Sequence, residues 1–146
     1  MKPRLMQAII GGLAGTIVMT LMMYFVAPMM MGGPMDIAAM LGDMMGMSDT
    51  VGMIVHFILG AVAFPAVFAL VLWGKLPGDP WMKGLVFGLA LYVISQVVVM
   101  PMAGAGMFSA NHPDQMMALL GGLVGHALYG LVLGWWLGKG VPGEAV

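Results

Sequence analysis

Cysteine is absent from this chain. Its absence excludes disulfides, thiolate zinc sites, iron–sulfur clusters and thioether-attached haem. Charge is nearly as scarce, because Asp, Glu, Lys and Arg together make up 8% of the 146 residues. A soluble domain carries roughly a quarter. With five Lys and Arg in all, no basic surface for nucleic acid is available. The few charges are also segregated. None lies between Arg4 and Asp36, Asp49 and Lys75, Lys83 and Asp114, or Asp114 and Lys139. Each interval exceeds the roughly 20 apolar residues that span a bilayer core.

What is present, 62% hydrophobic residues, therefore predicts an all-α membrane protein. Four transmembrane helices are expected near 5–31, 50–73, 83–103 and 115–138, within a single domain covering 1–146. Lys2, Arg4, Lys75, Lys83 and Lys139 fall at the two ends and in the loop between the second and third spans. Asp36, Asp43, Asp49 and Asp114 occupy the two remaining loops. The positive-inside rule then places both termini in the cytoplasm. Lys2 and Arg4 before an apolar stretch suggest a signal peptide. The stretch is too long for one, and no small-x-small site precedes Pro28, so a retained first helix is expected.

The chain reads as two parallel hairpin repeats, 5–78 and 82–143. Gly11-x-x-x-Gly15 opens the first span and Gly84-x-x-x-Gly88 the third, and Pro28-Met29 and Pro101-Met102 follow at matching distances. Two spans per copy relate the repeats by an axis along the membrane normal. In the first outer loop, Ile37, Met40, Leu41, Met44 and Met45 share one helical stripe, which predicts a short amphipathic helix. Ser48-Asp49-Thr50 supplies N-cap chemistry for the second span. Trp73, Trp81, Trp135 and Trp136 are expected to form an interfacial belt, and Pro65 to free a backbone carbonyl within its helix.

The candidate site is a repeated motif. Gly52-x-x-x-His56-x-x-x-Gly60 recurs as Gly122-x-x-x-His126-x-x-x-Gly130. Four-residue spacing puts Gly, His and Gly on one helix face, where another helix or a flat cofactor can approach. Three readings follow. The imidazoles act as polar glue with partners such as Thr16, Thr20, Ser95, Gln96 or Tyr129. They ligate one b-type haem, with Gly52, Gly60, Gly122 and Gly130 giving it room. Or they serve a small metal or a proton path. Methionine offers a further metal reading. Of 20 Met residues, 14 fall in the windows 29–53 and 100–117 around the outer loops. Thioethers of Met100 and Met102, with His112, His56 and His126, suit copper, whereas Met19, Met22 and Met23, away from these loops, favour Met as a flexible packing residue. The spans hold no acid–base pair or Ser–His–Asp set, so no enzyme is expected.

The segments Gly11-Gly12-Leu13-Ala14-Gly15-Thr16 through Met19-Thr20, Pro34 to Gly42, His56-Phe57-x-x-Gly60, Met100-Pro101-Met102-x-Gly104-x-Gly106-x-Phe108-Ser109 and Gly125-His126-x-x-Tyr129-Gly130 resemble a family of small four-helix prokaryotic membrane proteins, a domain of unknown function. The likeness covers nearly the whole chain. It implies the four-helix fold and the paired histidines and assigns no activity. The expectation is a non-catalytic accessory or assembly subunit of a larger, respiratory membrane complex, meeting lipid, other subunits or its own copies. It would carry no cofactor, the alternatives being haem b on His56 and His126, or copper.

Overall fold

The computed structural model describes residues 2–31, 33 and 35–139. Among these residues there are helices and turns and no strand. In chain order the helices are α1 (Leu5–Met30), the short α2 (Ile37–Met45), α3 (Asp49–Leu72), α4 (Pro80–Met102) and α5 (Gln115–Lys139). All but α2 are long and apolar enough to cross a bilayer, and the chain is a helical membrane protein. The largest departure from the hydropathy limits is at α4, which begins at Pro80 rather than near 83. A proline in the first turn has no N–H to leave unpaired, so it starts a helix readily.

Helix α5 packs on both α1 and α4, and α1 packs on α3. Small residues set these distances. A Cβ on Gly84 would strike the Gly130 carbonyl oxygen, and one on Gly88 would strike that of His126. Helices α4 and α5 therefore touch backbone to backbone, as small residues allow in membranes. Between α1 and α3 the fit is different. Gly12 receives the Pro65 ring, and Gly60 receives the Thr16 side chain.

The bundle is filled at the end bearing Lys139. Phe68 stacks on Phe87 with ring centroids 4.7 Å apart and meets Trp73 edge-on at 5.5 Å. Leu133 and Leu137 are fully buried beside them. Trp73 is thus a core residue, 2% exposed, with the Lys83 ammonium 4.9 Å from its ring centroid. The expected aromatic belt keeps Trp81, Trp135 and Trp136, which are exposed. At the opposite end, bearing His112, α2 lies against the start of α3. The contact runs through Ala38 and Gly42 onto Gly52, so small residues dock α2 more closely than its large apolar stripe does. Asp36 caps α2 by accepting from the Ala39 N–H, and the Tyr24 hydroxyl donates to the same carboxylate at 2.7 Å.

Three spans widen into a five-residue π-helical segment ending two residues before a proline. These are Met22–Val26 before Pro28, Leu59–Ala63 before Pro65 and Ser95–Val99 before Pro101. Proline has no N–H, and its ring crowds the carbonyl four residues back. Widening the turn relieves that clash and shifts the missing bond to the carbonyl five residues back. Those carbonyls belong to Met23, Gly60 and Gln96. The Met23 oxygen accepts from the Met35 N–H at 3.3 Å, and the Gly60 oxygen accepts from the Tyr129 hydroxyl at 2.7 Å. Pro65 therefore does free a carbonyl, and α5 takes it.

Candidate intramembrane binding site

In the half of the bundle bearing His112, the four spans surround a cavity of about 510 Å³. All three histidines of the chain line it. Helix α3 brings His56, α5 brings His126, and the loop before α5 brings His112 to the mouth. Most of the wall is apolar, from residues such as Leu59, Leu91, Ile94 and Val99. The volume lies within the roughly 300–1,000 Å³ of small-molecule sites.

Hydrogen bonding fixes which nitrogen of each imidazole carries its proton. His126 Nδ1 lies 2.8 Å from the Gly122 carbonyl oxygen. A carbonyl can only accept, so Nδ1 bears the hydrogen and Nε2 keeps its lone pair. His56 Nε2 lies 3.1 Å from the Thr20 hydroxyl, whose own hydrogen goes to the Thr16 carbonyl at 2.7 Å. The hydroxyl therefore accepts from Nε2, and His56 Nδ1 keeps its lone pair.

Gln96 adds the complementary group. It is buried, and its amide oxygen accepts from the Ser109 hydroxyl at 2.9 Å. That leaves the amide N–H₂, on the side of Gly122, without a partner among the described residues. Ser109 reaches Gln96 from a strained turn. Phe108 and Ser109 have φ of 50° and 54°, a left-handed conformation that costs residues with a Cβ on the order of 1 kcal/mol each. Gly104 and Gly106, also at positive φ, let the loop enter that turn. The Asn111 amide ties it by donating to the Gly104 carbonyl at 3.1 Å.

Charge at the site is of one sign. Among the described residues lining the cavity, Asp36 is the one carboxylate and there is no Lys or Arg. The Tyr24 hydroxyl, and then the Ala39 N–H, hold the Asp36 carboxyl below its ordinary value of 3.8. It is therefore anionic at neutral pH.

Sequence spacing located part of this site. His56, His126, His112, Met100, Gly60 and Gly122 line the cavity. Gly52, Gly130 and Met102 stand elsewhere. Gly52 lies under α2, Gly130 meets Gly84 and Gly88, and Met102 is 69% exposed. Even Gly60 is covered by Thr16, so three of the four motif glycines serve helix packing. Five thioethers, of Met19, Met23, Met35, Met40 and Met100, line the wall. No three His, Asp or Glu side chains converge on a metal-sized point among the described residues. Ser109 escaped the sequence reading as a polar partner. Gln96 inside an otherwise apolar span was the signal, since an intramembrane amide needs a partner.

A family model matches residues 3–140, that of a family of unknown function, DUF6789. The chain belongs to this family. Comparison with curated proteins and with solved structures gives no match.

Proposed function

We propose that the chain is a non-catalytic membrane protein that holds a membrane-soluble small molecule in the cavity around His56 and His126. It would serve in this role as an accessory subunit of a larger, respiratory membrane assembly. The cavity carries the reading. It is of ligand size, and it gathers the chain's histidines and a buried amide where packing alone would favour filled, apolar space. The glycine faces are engaged within the chain, so partner subunits would meet the lipid-facing side chains.

Organic extraction of the purified protein followed by mass spectrometry tests the binding reading. A stoichiometric apolar molecule is expected, lost in the cavity-filling variant Ser95→Phe. Equal recovery from both proteins would overturn it. Purification in mild detergent from the native membrane should bring partner subunits along, and a lone monomer in every preparation would remove the assembly role. For the orientation, a cysteine-free chain suits single-cysteine labelling. With cytoplasmic termini, Met47→Cys reacts with an impermeant maleimide in intact cells and Lys75→Cys does not.

A second reading has its own support. His56 and His126 come from different helices and each retains one lone pair, as a bis-histidine haem b requires. An optical spectrum with a redox-sensitive Soret band, abolished by His56→Ala or His126→Ala, would establish it. A colourless protein excludes it.

A further inference from the structure

The geometry points to a quinol as the ligand, bound through its hydroquinone ring in preference to the oxidised quinone. The inference rests on the cavity being a ligand site and adds the chemistry of its occupant. The proton inventory carries it. His56 Nδ1 and His126 Nε2 are acceptors, and the Gln96 amide N–H₂, its oxygen taken by the Ser109 hydroxyl, is a donor. A hydroquinone presents two O–H donors, which two acceptors on separate helices can receive. Each hydroxyl oxygen also retains lone pairs for the amide. A quinone presents carbonyl oxygens alone. It can accept from Gln96 but offers nothing to either imidazole, and a site left with unmet polar groups discriminates strongly.

Other ligand classes fit less well. Fatty acids and other anionic amphiphiles would meet Asp36 and no cation among the described lining residues. A single metal ion would leave most of about 510 Å³ unfilled. The apolar wall suits a ring and the beginning of an apolar tail, which the surrounding bilayer can continue to solvate. Binding alone is proposed, with no electron transfer at the site.

The test uses the full chain in phosphatidylcholine nanodiscs, with decylubiquinol and decylubiquinone as probes in anaerobic equilibrium dialysis. The quinol should bind about tenfold or more tightly than the quinone. His56→Phe and His126→Phe should each weaken quinol binding about tenfold and leave quinone binding nearly unchanged. Gln96→Leu should weaken both forms. Circular dichroism melts identify any variant that fails to fold, and His126→Gln, which keeps an acceptor oxygen, should then retain part of the preference. Equal affinities, tighter quinone binding, or a preference that survives both histidine changes would overturn the proposal. If another apolar molecule co-purifies while the quinol shows no preference, the cavity reading stands and the quinol assignment falls. If nothing co-purifies and neither probe binds, both fall.

Discussion

At the end bearing Lys139, Phe68, Phe87, Leu133 and Leu137 close the space between the spans. At the end bearing His112, the same four helices stand around a cavity of about 510 Å³. The same four apolar spans supply both halves, so their membrane-spanning character does not explain the difference. Side-chain size and glycine packing do. Aromatic rings and backbone-to-backbone glycine contacts consolidate one half. In the other, the π-helical turns that precede prolines, the imidazoles and a strained loop hold polar groups apart. Under the proposed function, stability and recognition fall at opposite ends of one bundle.

Substitutions should separate these roles. The largest effect is expected for Gly130→Leu, whose side chain would enter the α4 backbone at Gly84 and Gly88. Backbone cannot yield as a flexible side chain does, so a loss above about 3 kcal/mol is expected in reversible unfolding from mixed micelles. A loss below about 1 kcal/mol would show that the α4–α5 contact is not the consolidating one. Phe68→Ala comes next, at about 3 kcal/mol, from lost stacking against Phe87 and Trp73. His126→Phe should change stability by less than about 1 kcal/mol, because its hydrogen bond stays within its own helix. Loss of the co-purifying molecule is the expected change. A destabilisation as large as that of Phe68→Ala would erase the distinction between the halves.

Much of this division was legible in the sequence. Charge-free intervals and flanking Lys residues gave the four spans to within about one helical turn. The repeated Gly-x-x-x-His spacing pointed to two of the three imidazoles that line the cavity. The occupants of the glycine faces were not legible, because spacing names a face without naming its neighbour. Gly52 meets a loop helix, Gly60 a threonine and Gly130 other glycines. The Ser109–Gln96 bond was hidden for a related reason. It depends on positive φ at two residues with side chains, a conformation their identities disfavour and the surrounding turn imposes.

Smaller effects would sharpen the comparison at the His112 end. Tyr129→Phe should cost about 1 kcal/mol by leaving the Gly60 carbonyl unmatched. In a Pro65→Ala background a helix N–H becomes available to that carbonyl, and the same change should cost almost nothing. A double-mutant cycle with no coupling would show that the proline does not create the acceptor. The smallest effect concerns pH. With its carboxyl held below 3.8, Asp36 strengthens the docking of α2 above that value. The contribution is lost as pH falls through the folded-state pKa. Tyr24→Phe removes the principal cause and should return the Asp36 titration, followed by carboxyl-carbon NMR, toward 3.8. An unchanged midpoint would show that the hydroxyl bond does not hold the carboxylate.

The prolines have a consequence for how such a protein can be read and redesigned. A regular helix in hydrocarbon consumes all its own amide chemistry and has nothing left with which to address a neighbour. Here Pro65 opens one oxygen at a position with no side chain, and Tyr129 answers it from another helix. A scan of polar side chains would credit Tyr129 and overlook both Gly60 and Pro65. The instruction is written five residues from where it acts, in a residue whose ring makes no polar contact itself. By the same register Pro101 stands five residues from Gln96, which lines the cavity, so under the proposed function the backbone there would be a further position at which specificity is altered by moving a proline.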